Sequence, residues 1–145
     1  MKYDIDLMYT CSLIEYIGRA TRQRRGEVVR MLGVDVVTRI YRHADVLHCD
    51  AIERVADEFI SMCGIETGQF DNVGACRYDV PDYWTIGEVF ERLIEDVSDG
   101  DVIETLHEVY ASWMCDALSN YNSDLFYQPR DYLRECYLEG EVLDA

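Results

Sequence analysis

Several features are missing from this sequence, and each absence removes a class of function. No apolar stretch approaches the length of about 18 residues that a membrane-spanning helix needs. The opening Met1-Lys2-Tyr3-Asp4-Ile5-Asp6 places two acids where a secretory signal needs a basic start and an unbroken apolar run, so a cytoplasmic location is expected. Six cysteines stand at positions 11, 49, 63, 76, 115 and 136 with no C-x-x-C pair. Buried free thiols are therefore expected, not disulfides or a zinc site. No Gly-rich phosphate loop, H-E-x-x-H or G-x-S-x-G is present, and no cofactor is expected. Alternating strand patterns, internal repeats and low-complexity segments are absent as well.

Positive charge is scarce beyond the first third. Residues 1–44 carry 8 Lys/Arg against 5 Asp/Glu, whereas residues 45–145 carry 5 against 24, within an overall net charge of −16. Such a segment repels nucleic acid and anionic membranes and suits a basic surface on another protein. Solubility alone also accounts for it.

What is present is helical periodicity over 145 residues, enough for one domain with a sizeable core. The most regular stretch, 101–121, aligns Leu106, Val109, Tyr110, Trp113, Met114, Leu118 and Tyr121 on one stripe. It reads as a central core helix with Asp101 and Glu104 as a capping box and Trp113 buried at mid-stripe. Further helices are expected over 4–19, over 24–32 with Gly33 as the stop, from Asp35 through Leu47, and from an Asp50/Glu53 capping box to Gly64. Another opens at Pro81-Asp82, and a last short one runs from Pro129, as first helical residue, to Gly140. Residues 65–80 read as a loop, pinned by Phe70 and Val73, that could mark a seam, and residues 141–145 as a frayed tail. The expected fold is an all-α single-domain bundle of about seven helices around helix 101–121.

Few constellations could carry chemistry. Glu104-x-x-His107 and Asp45-x-x-His48 have the carboxylate–histidine spacing of di-metal helical bundles, but that geometry needs further inward carboxylates. Glu88, Glu91 and Glu95 alternate with the apolar face of their helix and are expected outside. His43, His48 and Cys49 match no zinc spacing, and a thiol nucleophile would need a placed base. A di-metal or thiol enzyme is the weaker reading. Arg19, Arg22, Arg24, Arg25 and Arg30 form the one basic patch, at a helix corner. Pairing with the chain's own acids is the plain explanation; contact with DNA or an acidic partner is the sharper one. Tyr78, Tyr83, Trp84, Tyr121, Phe126, Tyr127, Tyr132 and Tyr137 fall in or beside loops, where aromatics either close a bundle or serve an interface.

Leu13-Ile14-Glu15-Tyr16-Ile17-Gly18, the arginine corner after it, and Arg39-Ile40-Tyr41-Arg42-His43-Ala44-Asp45-Val46-Leu47-His48 together resemble a known family. Its members are small, uncharacterised all-helical bacterial proteins encoded beside ADP-ribosyltransferase-like toxins, often on mobile elements. The resemblance covers under half the chain, and residues 65–145 lie outside it. It implies an antitoxin or immunity role through protein–protein contact, and it carries over no functional residues.

The combined expectation is a non-enzymatic, acidic inhibitor that neutralises a partner protein. Tyr83, Trp84, Glu88, Glu91 and Glu95 are its expected contacts, and Arg22, Arg24 and Arg25 the competing site. The alternatives are an anti-defence inhibitor whose carboxylates mimic nucleic acid on a CRISPR or restriction enzyme, and a helical oligomerisation module.

Overall fold

Capping residues written into the sequence set most helix boundaries. The computed structural model describes residues 4–144; Met1 to Tyr3, the start of the acidic N-terminal stretch, and Ala145, the end of the expected tail, lie outside them. Asp4 accepts a hydrogen bond from Leu7 N at 3.0 Å and opens α1 (Ile5–Thr21). α2 (Arg25–Arg42) bends at Gly33, whose φ of 81° marks the stop expected there. α3 (Ala44–Leu47) is a single turn, and α4 (Ile52–Cys63) ends at Gly64 in the left-handed conformation. Asp82 caps α5 (Tyr83–Val97) and Asp101 caps α6 (Val102–Tyr110). α7 (Trp113–Leu118), a 3-10 turn (Leu125–Tyr127) and α8 (Arg130–Glu139) complete an all-helical, single-domain fold with no strand among the described residues. No helix among them is long and apolar enough to cross a membrane.

Several termini differ from expectation. The helix expected from Asp35 through Leu47 ends at Arg42, and α3 is a separate turn after His43. The Asp50/Glu53 capping box does not form, because α4 starts one residue later; Ala51 is its N-cap and Asp50 accepts from Ala51 N instead. Pro129 precedes α8 as its N-cap. The tail is also tied down, since Tyr132 donates its hydroxyl to the Leu143 carbonyl and Leu143 N donates to the Cys136 sulfur.

The helix at the centre is α1, not the stretch 101–121. α1 packs against α2, α3, α4 and α5. Its polar face is buried with its apolar one, because Thr10 and Thr21 return their hydroxyls to the carbonyls of Asp6 and Ile17. α5 lies antiparallel along it. Arg19 reaches the Pro81 carbonyl at one end, and Gly87 meets Ser12 at the middle, where a Cβ would come within 2.0 Å of the Ser12 Oγ.

The 101–121 stripe breaks at Ala111–Ser112. Ser112 donates its hydroxyl to Val109 O at 2.6 Å and caps α7 through Met114 N. Leu106, Val109, Tyr110, Met114, Leu118 and Tyr121 remain in the core, but the break turns Trp113 outward to 36% exposure. Trp113→Ala is therefore expected to change stability by about 1 kcal/mol or less, against the roughly 3–5 kcal/mol of a buried aromatic. Thermal unfolding of the variant checks this.

Residues 65–80 do not form a loose seam. Gly68 N and Phe70 N donate to the carbonyls of Thr21 and Arg22 at 2.7 and 2.9 Å. Asn122 ties the far end, accepting from Arg77 N and donating to Ala75 O. The segment is thus stitched to the α1–α2 corner on one side and to the connector after α7 on the other.

Candidate protein-binding face

Five rings meet where α1, α5 and the turn after α3 converge. Tyr9 and Tyr16 stand seven residues apart on α1, hence on one face. Tyr83 and Trp84 occupy the first turn of α5, held by the Asp82 cap at 2.7 Å from Trp84 N. His48 follows α3. Tyr16 meets Tyr83 edge-on with centroids 5.3 Å apart, Tyr83 meets Trp84 at 5.2 Å, and Trp84 lies 5.6 Å from His48 and 6.1 Å from Tyr9. His48 is exposed, Tyr16, Tyr83 and Trp84 are half-buried, and Tyr9 lies beneath them at 2% exposure.

Carboxylates border the rings. Glu53 and Asp57 share a face of α4 at i, i+4 spacing, and Asp50 precedes that helix. All three are exposed. Burial first, then the charges of Glu53 and Asp57, raises the Tyr16 hydroxyl. Burial, followed by Asp50, pushes Tyr9 up to about 12. The Tyr9 hydroxyl makes no hydrogen bond among the described residues. Among the described residues the ion pair at this rim is Asp50 with exposed Arg54, at 3.9 Å.

The α1–α2 corner holds a second cluster, and it faces inward. Arg25 is 0% exposed and donates to both Glu15 oxygens, at 3.0 and 3.1 Å, and to Asn72 Oδ1 at 2.9 Å. Arg19 donates to Glu15 Oε2 at 2.8 Å, and the Tyr121 hydroxyl donates to the same oxygen. Asn72 passes the network on to the Ser119 carbonyl at 2.9 Å. Burial alone would raise the Glu15 carboxyl; Arg25, Arg19 and Tyr121 together hold it below its ordinary value. This cluster joins α1, α2, the 65–80 segment and the connector after α7. Arg25 therefore cannot serve as a direct partner contact. Arg22 is exposed at the left-handed end of α1, and Arg24 pairs with Asp116 at 3.3 Å while covering the Phe70 ring at 4.6 Å.

The expected acidic row on α5 is split. Glu88 stays at the surface with Arg92, but Glu91 is buried, because α5 packs against α6 and α8 as well as α1. Among the described residues, neither Glu91 oxygen has a hydrogen-bond partner of ordinary geometry. Burial, and then Glu95 beside it, raises the Glu91 carboxyl to about 8. Asp50, Glu53 and Asp57 act on Tyr9 and Tyr16, the rings that Trp84 and Tyr83 contact, while Glu91 is withdrawn from the expected row into the core. The spacing of 9 with 16 and of 53 with 57 carried a signal for this face; nothing local linked it to position 48.

Among the described residues no group of three or more His, Cys, Asp or Glu is placed to hold a metal ion. Glu104 is exposed and His107, half-buried, has its pKa lowered by burial. Comparison with protein-family models, with curated proteins and with solved structures gives no match for this chain.

Proposed function

We propose that this chain is a non-enzymatic binding protein that neutralises a basic partner protein, in the manner of an antitoxin or immunity protein. The observation that carries this reading is the ring face of α1 and α5 bordered by Asp50, Glu53 and Asp57. Aromatic rings supply contact area at low entropic cost, and the carboxylates supply steering and orientation. Arginines interleave with the acids, as at Arg54 and Arg92, which favours a protein contact over an unbroken phosphate-like row. The Arg-corner resemblance to toxin-associated proteins points to the protein encoded beside this chain as the partner to test.

With that partner in hand, two exposed charge-reversal pairs separate the faces: Glu53→Arg with Asp57→Arg, and Arg22→Glu with Arg24→Glu. The acidic pair is expected to lose binding, and the wild-type association rate to fall by about tenfold or more between low and high salt. Loss confined to the arginine pair would place the contact at the α1–α2 corner and contradict the reading.

A further inference from the structure

We propose that Tyr16, Tyr83, Trp84 and His48, floored by Tyr9, form a socket for an arginine side chain of the partner, an inference that rests on the protein-binding reading above. A cation is attracted to a ring face within about 6 Å of its centroid, most strongly by tryptophan. Successive rings here lie 5.2 to 6.1 Å apart and so touch one another, which leaves a planar cation to stack on their outward faces rather than between two rings. Guanidinium fits such a place better than ammonium. It is planar, stacks on rings, loses hydration more readily, and grips a carboxylate with two parallel N–H bonds.

The rim offers those acceptors in Glu53 and Asp57, both exposed on the first two turns of α4. The floor offers another. The Tyr9 hydroxyl is buried, within electrostatic reach of Asp50, and has no hydrogen-bond partner among the described residues. A buried hydroxyl left unpaired costs free energy that an incoming N–H would recover.

The chain's own arginines do not fill the place. Among the described residues, cation–π contacts put Arg19 over Tyr121 and Arg24 and Arg25 over Phe70; Arg19 stands beside the ring face but spends its guanidinium on Glu15 and the Pro81 carbonyl. Arg54 stands at the rim and turns to Asp50. Net charge of −16 further selects a cationic occupant over a neutral one.

The test uses the full chain carrying Trp113→Phe, so that Trp84 is the single tryptophan. It is titrated with three short Gly/Ser peptides that differ at one central residue: arginine, lysine or citrulline, the neutral isostere of arginine. Trp84 fluorescence and the ring proton resonances of Tyr16, Tyr83 and His48 report occupancy. The arginine peptide is expected to perturb these signals and to bind at least fivefold more tightly than the citrulline peptide. It should also bind more tightly than the lysine peptide. Glu53→Gln with Asp57→Asn, both at exposed positions, should weaken it at least fivefold, and Trp84→Leu should abolish it with the fold intact by circular dichroism. If Trp84→Leu unfolds the chain, the exposed carboxylate pair alone decides. Equal binding of arginine and citrulline, equal binding of arginine and lysine, or perturbation centred on Phe70 would overturn the socket. Partner association is measured separately. A peptide-binding socket whose loss leaves the partner bound would reject the protein-binding reading at this face. Partner binding through α4 without arginine preference would reject the socket alone.

Discussion

Glu15→Gln is expected to cost about 3–5 kcal/mol, because it leaves the fully buried Arg25 guanidinium without its charge partner. Domains of this size are stable by only about 5–15 kcal/mol, so the variant should melt roughly 10 °C or more below wild type. Gln preserves the shape of the side chain, which separates charge from packing. Arg19 and Arg25 would then share one neutral acceptor, and the Tyr121 hydroxyl would lose a carboxylate. Glu15→Leu with Arg25→Met should be more stable than either single change, since replacing both charges removes the stranded one. The same pair fixes an acid limit. The Glu15 carboxyl is held below its ordinary value in the fold, so its contribution is present above the unfolded value and is lost as pH falls through the folded one. Chemical denaturation of the four variants tests the network; a Glu15→Gln change within about 0.5 kcal/mol would contradict it.

Glu91→Gln is expected to stabilise the protein, and more so as pH rises. The Glu91 carboxyl is raised in the fold from 4.5 to about 8, by burial first and then by Glu95. A raised acid keeps its proton in the folded chain and gives it up in the unfolded one. Stability is therefore fully present below the unfolded value near 4.5 and falls as pH climbs toward 8, by at most about 1.4 kcal/mol per pH unit. Glutamine does not titrate, so the gap between variant and wild type should widen across that window and level off above it. Parallel pH profiles for the two proteins would contradict this.

The helices were legible because their ends carry local chemistry: Asp4, Asp82 and Asp101 at starts, Gly33, Gly64 and Gly140 at stops. Their ranking was not. α1 shows a modest apolar row, yet it is the buried centre, because Thr10 and Thr21 satisfy their hydroxyls on its own backbone and Gly87 lets α5 approach closely. Periodicity sees only which residues dislike water, not which polar ones are already satisfied. The regular 101–121 stripe misled for a related reason: Ser112 turns the chain without changing the spacing of apolar residues before and after it. Of the expected contacts, Tyr83, Trp84 and Glu88 lie at or near the surface, while Arg25 and Glu91 are buried by elements distant in sequence. Arg25 looked like part of a surface patch because its partners, Glu15 and Asn72, stand 10 and 47 residues away. The acidic rim on α4 became meaningful only once His48 and the first turn of α5 were seen beside it.

Backbone hydrogen exchange of the full chain, alone and saturated with the protein encoded beside it, tests the binding face most directly. The account predicts slowed exchange across the His48–Asp57 segment and the first turn of α5 around Tyr83 and Trp84, with the Arg22–Arg24 corner unchanged. Protection confined to that corner, or to the outer face of α8, would contradict it.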